Sequence, residues 1–88
     1  MWYVYILESE RYQGKFYTGF TGDLKRRLAE HNAEKNPGYT QKYKPWRLHS
    51  YTAFRNKKVA HRFEDYLKTQ AGRRFLKLRF TLNDNLPS

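Results

Sequence analysis

The 88-residue chain contains no cysteine. That excludes disulfide staples, cysteine-based zinc sites and thiol catalysis, and it suits a reducing, cytoplasmic setting. Acidic residues are scarce: eight Asp and Glu stand against 18 Lys and Arg, for a formal net charge of +10. Long apolar runs are missing as well. The longest surrounds Val4 to Leu7, far short of the roughly 20 residues that a membrane span requires, and no signal-peptide pattern accompanies it, so no membrane partner is expected. What the chain does have is aromatic and hydrophobic matter, 18% and 39% of its residues, too much for an unstructured basic tail. A chain this short makes one domain and buries only roughly 60–65% of its surface, so every inward-facing polar group needs a reason.

Residues 2–7 (WYVYIL) are aromatic and β-branched and apolar on both alternating faces, which predicts a central strand covered on both sides. Residues 15–20 (KFYTGF) read as its hairpin partner across a loop containing Gly14. A helix follows to about Asn32, with Thr21 as the expected N-cap and Asp23 in the first turn. At about 100° per residue, Leu24, Arg27, Leu28 and His31 share one stripe of that helix. Ala33 to Trp46, with Pro37, Gly38 and Pro45, reads as a loop, and residues 47–54 as a third strand. Helical periodicity returns over Lys57 to Ala71, where Gly72 is the expected C-terminal cap. On that helix Val59, Phe63, Tyr66, Leu67 and Gln70 share a face whose flank carries Ala60 and Glu64, while Asp65 points away. Arg73 to Phe80 reads as a further short basic helix, and residues 81–88 as a C-terminal tail beyond a single domain over 1–80. The layout is α+β, a three-stranded antiparallel sheet flanked by helices in the order β-β-α-β-α-α.

The polar residues left facing inward are Tyr3, Tyr5, Tyr17, Arg27, His31 and Glu64. Hydrolysis of a phosphodiester needs a group to take a proton from water, a cation for the phosphate and a carboxylate to hold a divalent metal. Tyr or His, Arg, and Glu supply these. A lone carboxylate favours one metal ion over two. His49 and His61 carry no expected function. The stretch from Tyr39 to Arg47 interleaves Tyr39 and Tyr43 with Lys42, Lys44 and Arg47, the composition that tracks a nucleic-acid backbone with stacking contacts.

These residues resemble the GIY-YIG nuclease superfamily, in particular its small stand-alone members, which are similar to the N-terminal catalytic module of the excision-repair nuclease C subunit. Residues 3–5 (YVY) stand at the first family motif and 17–19 (YTG) at the second. Residues 23–31 (DLKRRLAEH) match the helix carrying the family's Arg and His, and 60–64 (AHRFE) the helix carrying its metal-binding Glu. The resemblance implies a metal-dependent DNA endonuclease acting in repair or processing. In it Tyr17 is general base or proton relay, Tyr5 lies beside it, Arg27 holds the scissile phosphate, and Glu64 binds a single Mg²⁺ or Mn²⁺. His31 is the fifth site residue, with a role that varies across the family. The chain departs from the pattern at Tyr3, where the first motif has Gly, at Thr18 in the middle of the second, and at Phe20, where the repair-nuclease members have Lys. The alternative expectation is a nucleic-acid-binding module of the same fold that does not cleave. A basic adaptor for a protein partner is the third.

Overall fold

The computed structural model describes residues 1–33 and 38–85, with residues 39 and 81–85 described by backbone alone. Strand β1 (Trp2–Ser9) lies at the centre of a three-stranded sheet of order β2-β1-β3, antiparallel to β2 (Phe16–Thr21) and to β3 (Trp46–Phe54). Val4, Tyr5, Ile6 and Leu7 are all buried, so both faces of this strand are covered.

The alternation of β1 sorts the core into two halves. Val4 and Ile6 face α3 (Lys57–Leu67) and α4 (Gln70–Asn85), where they pack with Ala60, Leu67 and Leu76 and with the rings of Phe16, Phe20, Phe63 and Phe80. Tyr5 and Leu7 face the other way. They pack with Trp46, Tyr17, Leu24, Leu28 and Tyr43 beneath α1 (Leu24–Asn32) and the short α2 (Tyr39–Tyr43). The pairing of Tyr5 with Gly19 and of Leu7 with Tyr17 puts the odd-numbered residues of β2 on this second face and Phe16, Thr18 and Phe20 on the first.

Four expected details differ. Asp23, not Thr21, is the N-cap of α1, its carboxylate accepting from the Arg26 N–H at 3.1 Å, while the Thr21 hydroxyl accepts from the Asp23 N–H in the turn just before. The expected loop over 33–46 carries the helix α2, and residues 34–37, with Pro37, lie outside the described residues. The helix expected over Lys57 to Ala71 ends at Leu67, and α4 begins at Gln70, so Gly72 belongs to the first turn of α4 rather than capping the helix before it. The Thr69 hydroxyl starts this turn by accepting from the Gly72 N–H at 3.1 Å. A Cβ on Gly72 would collide with the Tyr66 carbonyl oxygen, so only glycine lets α4 turn back so closely on α3. Lastly, α4 stays helical through Asn85, past the boundary at 80 and into the expected tail; residues 86–88 lie outside the described residues.

Candidate active site

Helix α1 delivers Arg27 and His31 to the sheet from adjacent turns, because residues four apart share a face. His31 is 1% exposed, and its Nε2 lies 2.9 Å from the Tyr5 hydroxyl. Arg27 acts on the same phenol and, through Nη1, donates to the Glu30 carboxylate at 2.9 Å. Tyr17 closes the group, with its ring centroid 4.9 Å from that of His31 and 6.4 Å from that of Tyr5. Gly19 makes the arrangement sterically feasible: a Cβ there would fall 2.5 Å from the Tyr5 hydroxyl and 3.2 Å from the Tyr17 ring.

The electrostatics give each group a state. Burial pushes the Tyr5 phenol up to about 12; Arg27 pulls it down by hydrogen bond and charge, and the charges of Tyr17 and Glu64 push it further up. Tyr5 therefore keeps its proton. Burial opposes the Arg27 charge, but hydrogen bonds to Tyr5 and Glu30 outweigh it and raise the guanidinium pKa above its ordinary value. Burial, with the Arg27 charge beside it, pushes His31 down to about 4 against the opposing charge of Glu30, so the imidazole is neutral near pH 7. The other imidazole nitrogen, His31 Nδ1, is a buried atom with no partner.

Glu64 comes from α3, on the other side of the sheet. It is 7% exposed, accepts from Lys68 Nζ at 3.1 Å, and lies 3.8 Å from His61 Nε2. Its charge acts on the Tyr5 phenol. The inward position and the pairing with Lys68 thus coexist. His61, expected to be idle, joins Glu64 and Asp65 in a group whose candidate ligand atoms all lie within 4.8 Å of one another. Their spacing, i, i+3 and i+4 on one helix, was the available signal. His61 also packs on Phe20, with ring centroids 5.0 Å apart.

The remaining expected residues divide. Tyr3 is half-buried and packs edge-on against Tyr51. Of the basic aromatic stretch, the Tyr39 side chain lies outside the described residues. Lys42 is exposed and stands over the Tyr43 ring, and Lys44 is half-buried. Tyr43 is itself half-buried against Tyr12 and Trp46, with Lys15 Nζ 4.6 Å from its ring centroid. Trp46 is core, its indole N–H donating to the Thr40 carbonyl. Arg47 is held by Glu8 at 2.6 Å.

The family model of the GIY-YIG catalytic domain matches residues 1–77. The chain belongs to the GIY-YIG family. Its relatives include a UPF0213 protein of Cupriavidus pinatubonensis, 43% identical over 72% of this chain and 68% of that protein, and one of Streptococcus agalactiae, 42% identical over 75% and 73%. The solution NMR structure of the UPF0213 protein BH0048 from Bacillus halodurans is similar at a TM-score of 0.50 and 38% identity, covering 86% of this chain and 82% of that one. GIY-YIG proteins form a nuclease superfamily that generally uses a divalent metal. The residues here fit such an ion: Glu64 is an inward carboxylate, and Asp65 and His61 offer an oxygen and a nitrogen beside it. One or two carboxylates with water filling the other positions suit a hard divalent cation. Bound there, it would supply positive charge toward a phosphoryl group. No helix among the described residues is long and apolar enough to cross a membrane.

Proposed function

We propose that this GIY-YIG chain is a single-metal endonuclease that hydrolyses phosphodiester bonds of DNA, in repair or in the processing of branched or single-stranded DNA in the cytoplasm. The observation that carries this reading is the cluster of the buried Tyr5 and His31 with the half-buried Arg27, packed against Tyr17. Idle buried charge and polarity are costly in a small domain. Here one face of the sheet gives up apolar packing to hold a guanidinium, a phenol and an imidazole in fixed relative positions.

The division of work follows from the protonation states. Arg27, about one-third exposed and fully charged, is the group that meets the phosphate. Tyr5 keeps its proton and orients Arg27 and His31. Tyr17, half-buried at the rim, is left to accept or relay the proton of the attacking water. Glu64 holds Mg²⁺ or Mn²⁺.

A second reading, the module that binds without cleaving, is favoured by Phe20, whose ring packs on His61 where a lysine would have brought a positive charge. Cleavage of a panel of labelled single-stranded, duplex, flap and branched DNAs with Mg²⁺ or Mn²⁺, set against EDTA and Glu64→Gln, separates the two. We expect cleavage that EDTA and Glu64→Gln abolish, with DNA affinity unchanged or slightly improved in the variant because a negative charge leaves a basic surface. Binding without cleavage under every condition makes the second reading the correct one.

A further inference from the structure

A groove of about 820 Å³ runs between β2 and α4. Its walls carry Lys15, Lys68, Arg73 and Lys77, with Tyr17 and Phe80 among the apolar surfaces between them. One acid, Glu8, lies at its margin, and its carboxylate already holds Arg47. Four cations thus line the groove beside aromatic surface, whereas in the stretch from Tyr39 to Arg47 the aromatic rings of Tyr43 and Trp46 turn inward.

Two of the lining residues also belong to the candidate site. Tyr17 packs on His31, and Lys68 donates to Glu64. The groove and the site are thus continuous around the outer edge of β2, a strand that pairs only with β1 in the sheet. Arg73 and Lys77 are exposed and four residues apart on α4, so they share one face along the groove, above the buried Leu76 and the half-buried Phe80.

We propose that this groove is the track for a single strand of DNA leading into the site, a proposal that rests on the nuclease reading and names its substrate form. A line of cations with aromatic surfaces between them follows a flexible phosphate backbone and stacks its bases. Recognition of duplex usually works the other way round, a protruding helix or ribbon entering the groove of the DNA. Here the protein supplies the concavity.

The test compares two double charge reversals in EDTA, by fluorescence anisotropy, on a labelled single-stranded oligonucleotide and on a duplex hairpin. Arg73→Glu with Lys77→Glu alters the groove. Arg55→Glu with Lys58→Glu makes the same change in charge at the other end of the sheet, where Phe54 pairs with Trp2, and serves as control. All four positions are exposed, and equal melting temperatures verify that both variants fold. The groove pair is expected to weaken single-strand binding at least tenfold and to flatten its log-log salt dependence by about 0.7 for each phosphate no longer neutralised. The control pair should change affinity less than threefold. Equal losses from both pairs, or a larger loss for duplex than for single strand, overturn the proposal. A groove pair that binds like wild type while wild type cleaves in Mn²⁺ overturns the groove and leaves the nuclease reading standing. Wild type that neither binds nor cleaves any DNA overturns both.

Discussion

The two faces of the sheet are built on different terms. Under α3 and α4 the core is apolar, with Val4, Ile6, Leu67 and Leu76 surrounded by phenylalanines. Under α1 the same strand buries Tyr5 against His31 and Arg27 and leaves His31 Nδ1 without a partner. An orphaned buried polar atom costs about 1–3 kcal/mol, so the second face is the less stable solution for a domain with little core to spare. Apolar packing is concentrated on one side and buried polar side chains on the other. Glu64 is the exception, a carboxylate mounted on the packing face whose charge reaches across to Tyr5.

Substitutions should separate the faces cleanly. Beyond the loss expected of Glu64→Gln, Arg27→Ala should lower the cleavage rate by about 10²–10³ through the phosphate it no longer stabilises, and Tyr17→Phe by a comparable factor through the missing proton acceptor. Both variants should melt close to wild type, because each residue is partly exposed. Leu67→Ala should do the reverse. Leu67 is 2% exposed, and its truncation should cost about 2–5 kcal/mol of stability while the folded fraction cleaves at the wild-type rate. Chemical denaturation and single-turnover kinetics on the same preparations measure both. Arg27→Ala or Tyr17→Phe destabilising as much as Leu67→Ala, with full activity in the folded fraction, would erase the distinction.

How much of this could be read beforehand depended on whether the relevant physics was local. The strands were legible because residues 2–7 are apolar at every position, and only a strand covered on both faces needs that. Arg27 and His31 were placed on one stripe by helical spacing alone. The break between α3 and α4 was not legible, since apolar periodicity continues through Leu67 to Leu76 and Gly72 carries the same signal before a turn as after one. What ends α3 is the Thr69 hydroxyl and the close crossing that Gly72 permits, and both are set by tertiary packing. The surroundings of the basic aromatic stretch were hidden for a related reason. Composition records that Trp46 and Arg47 are present but not that one side chain turns inward, nor that strand register sets Glu8 opposite the other. His61 by itself is a lone histidine on a helix. Taken with Glu64 and Asp65, it was visible from spacing.

The polar face should also betray itself in the pH dependence of stability. His31 is held at about 4 in the folded protein against an ordinary value of 6.5. The unfolded chain therefore takes up a proton at this residue as pH falls below about 6.5, and the folded chain does not until about 4. Stability attached to His31 is complete above 6.5 and is lost as pH falls toward 4, by about 3 kcal/mol in all. Urea unfolding between pH 4 and 7.5 measures this when wild type is compared with His31→Gln, which lacks the titration and shares every carboxylate. Parallel curves for the two proteins would mean that the imidazole is not held neutral by burial beside Arg27.

The smallest effect is expected at the rim of the polar face. Lys42 is exposed over the Tyr43 ring, and Lys42→Ala removes one cation without touching the core. Its loss should weaken DNA binding by a few-fold, alike for every sequence, because phosphate contacts position the nucleic acid without specifying it. Arg47→Ala should do less still. The Arg47 guanidinium is committed to Glu8, and removing it frees a carboxylate at the margin of the basic groove. That carboxylate adds repulsion to the groove, so the residual effect of Arg47→Ala should appear there, as a small loss for single-stranded DNA that Glu8→Gln in the same protein restores. A loss at Arg47 larger than at Lys42, and not restored by Glu8→Gln, would return the DNA contact to the stretch from Tyr39 to Arg47 and to the face that α1 and α2 cover.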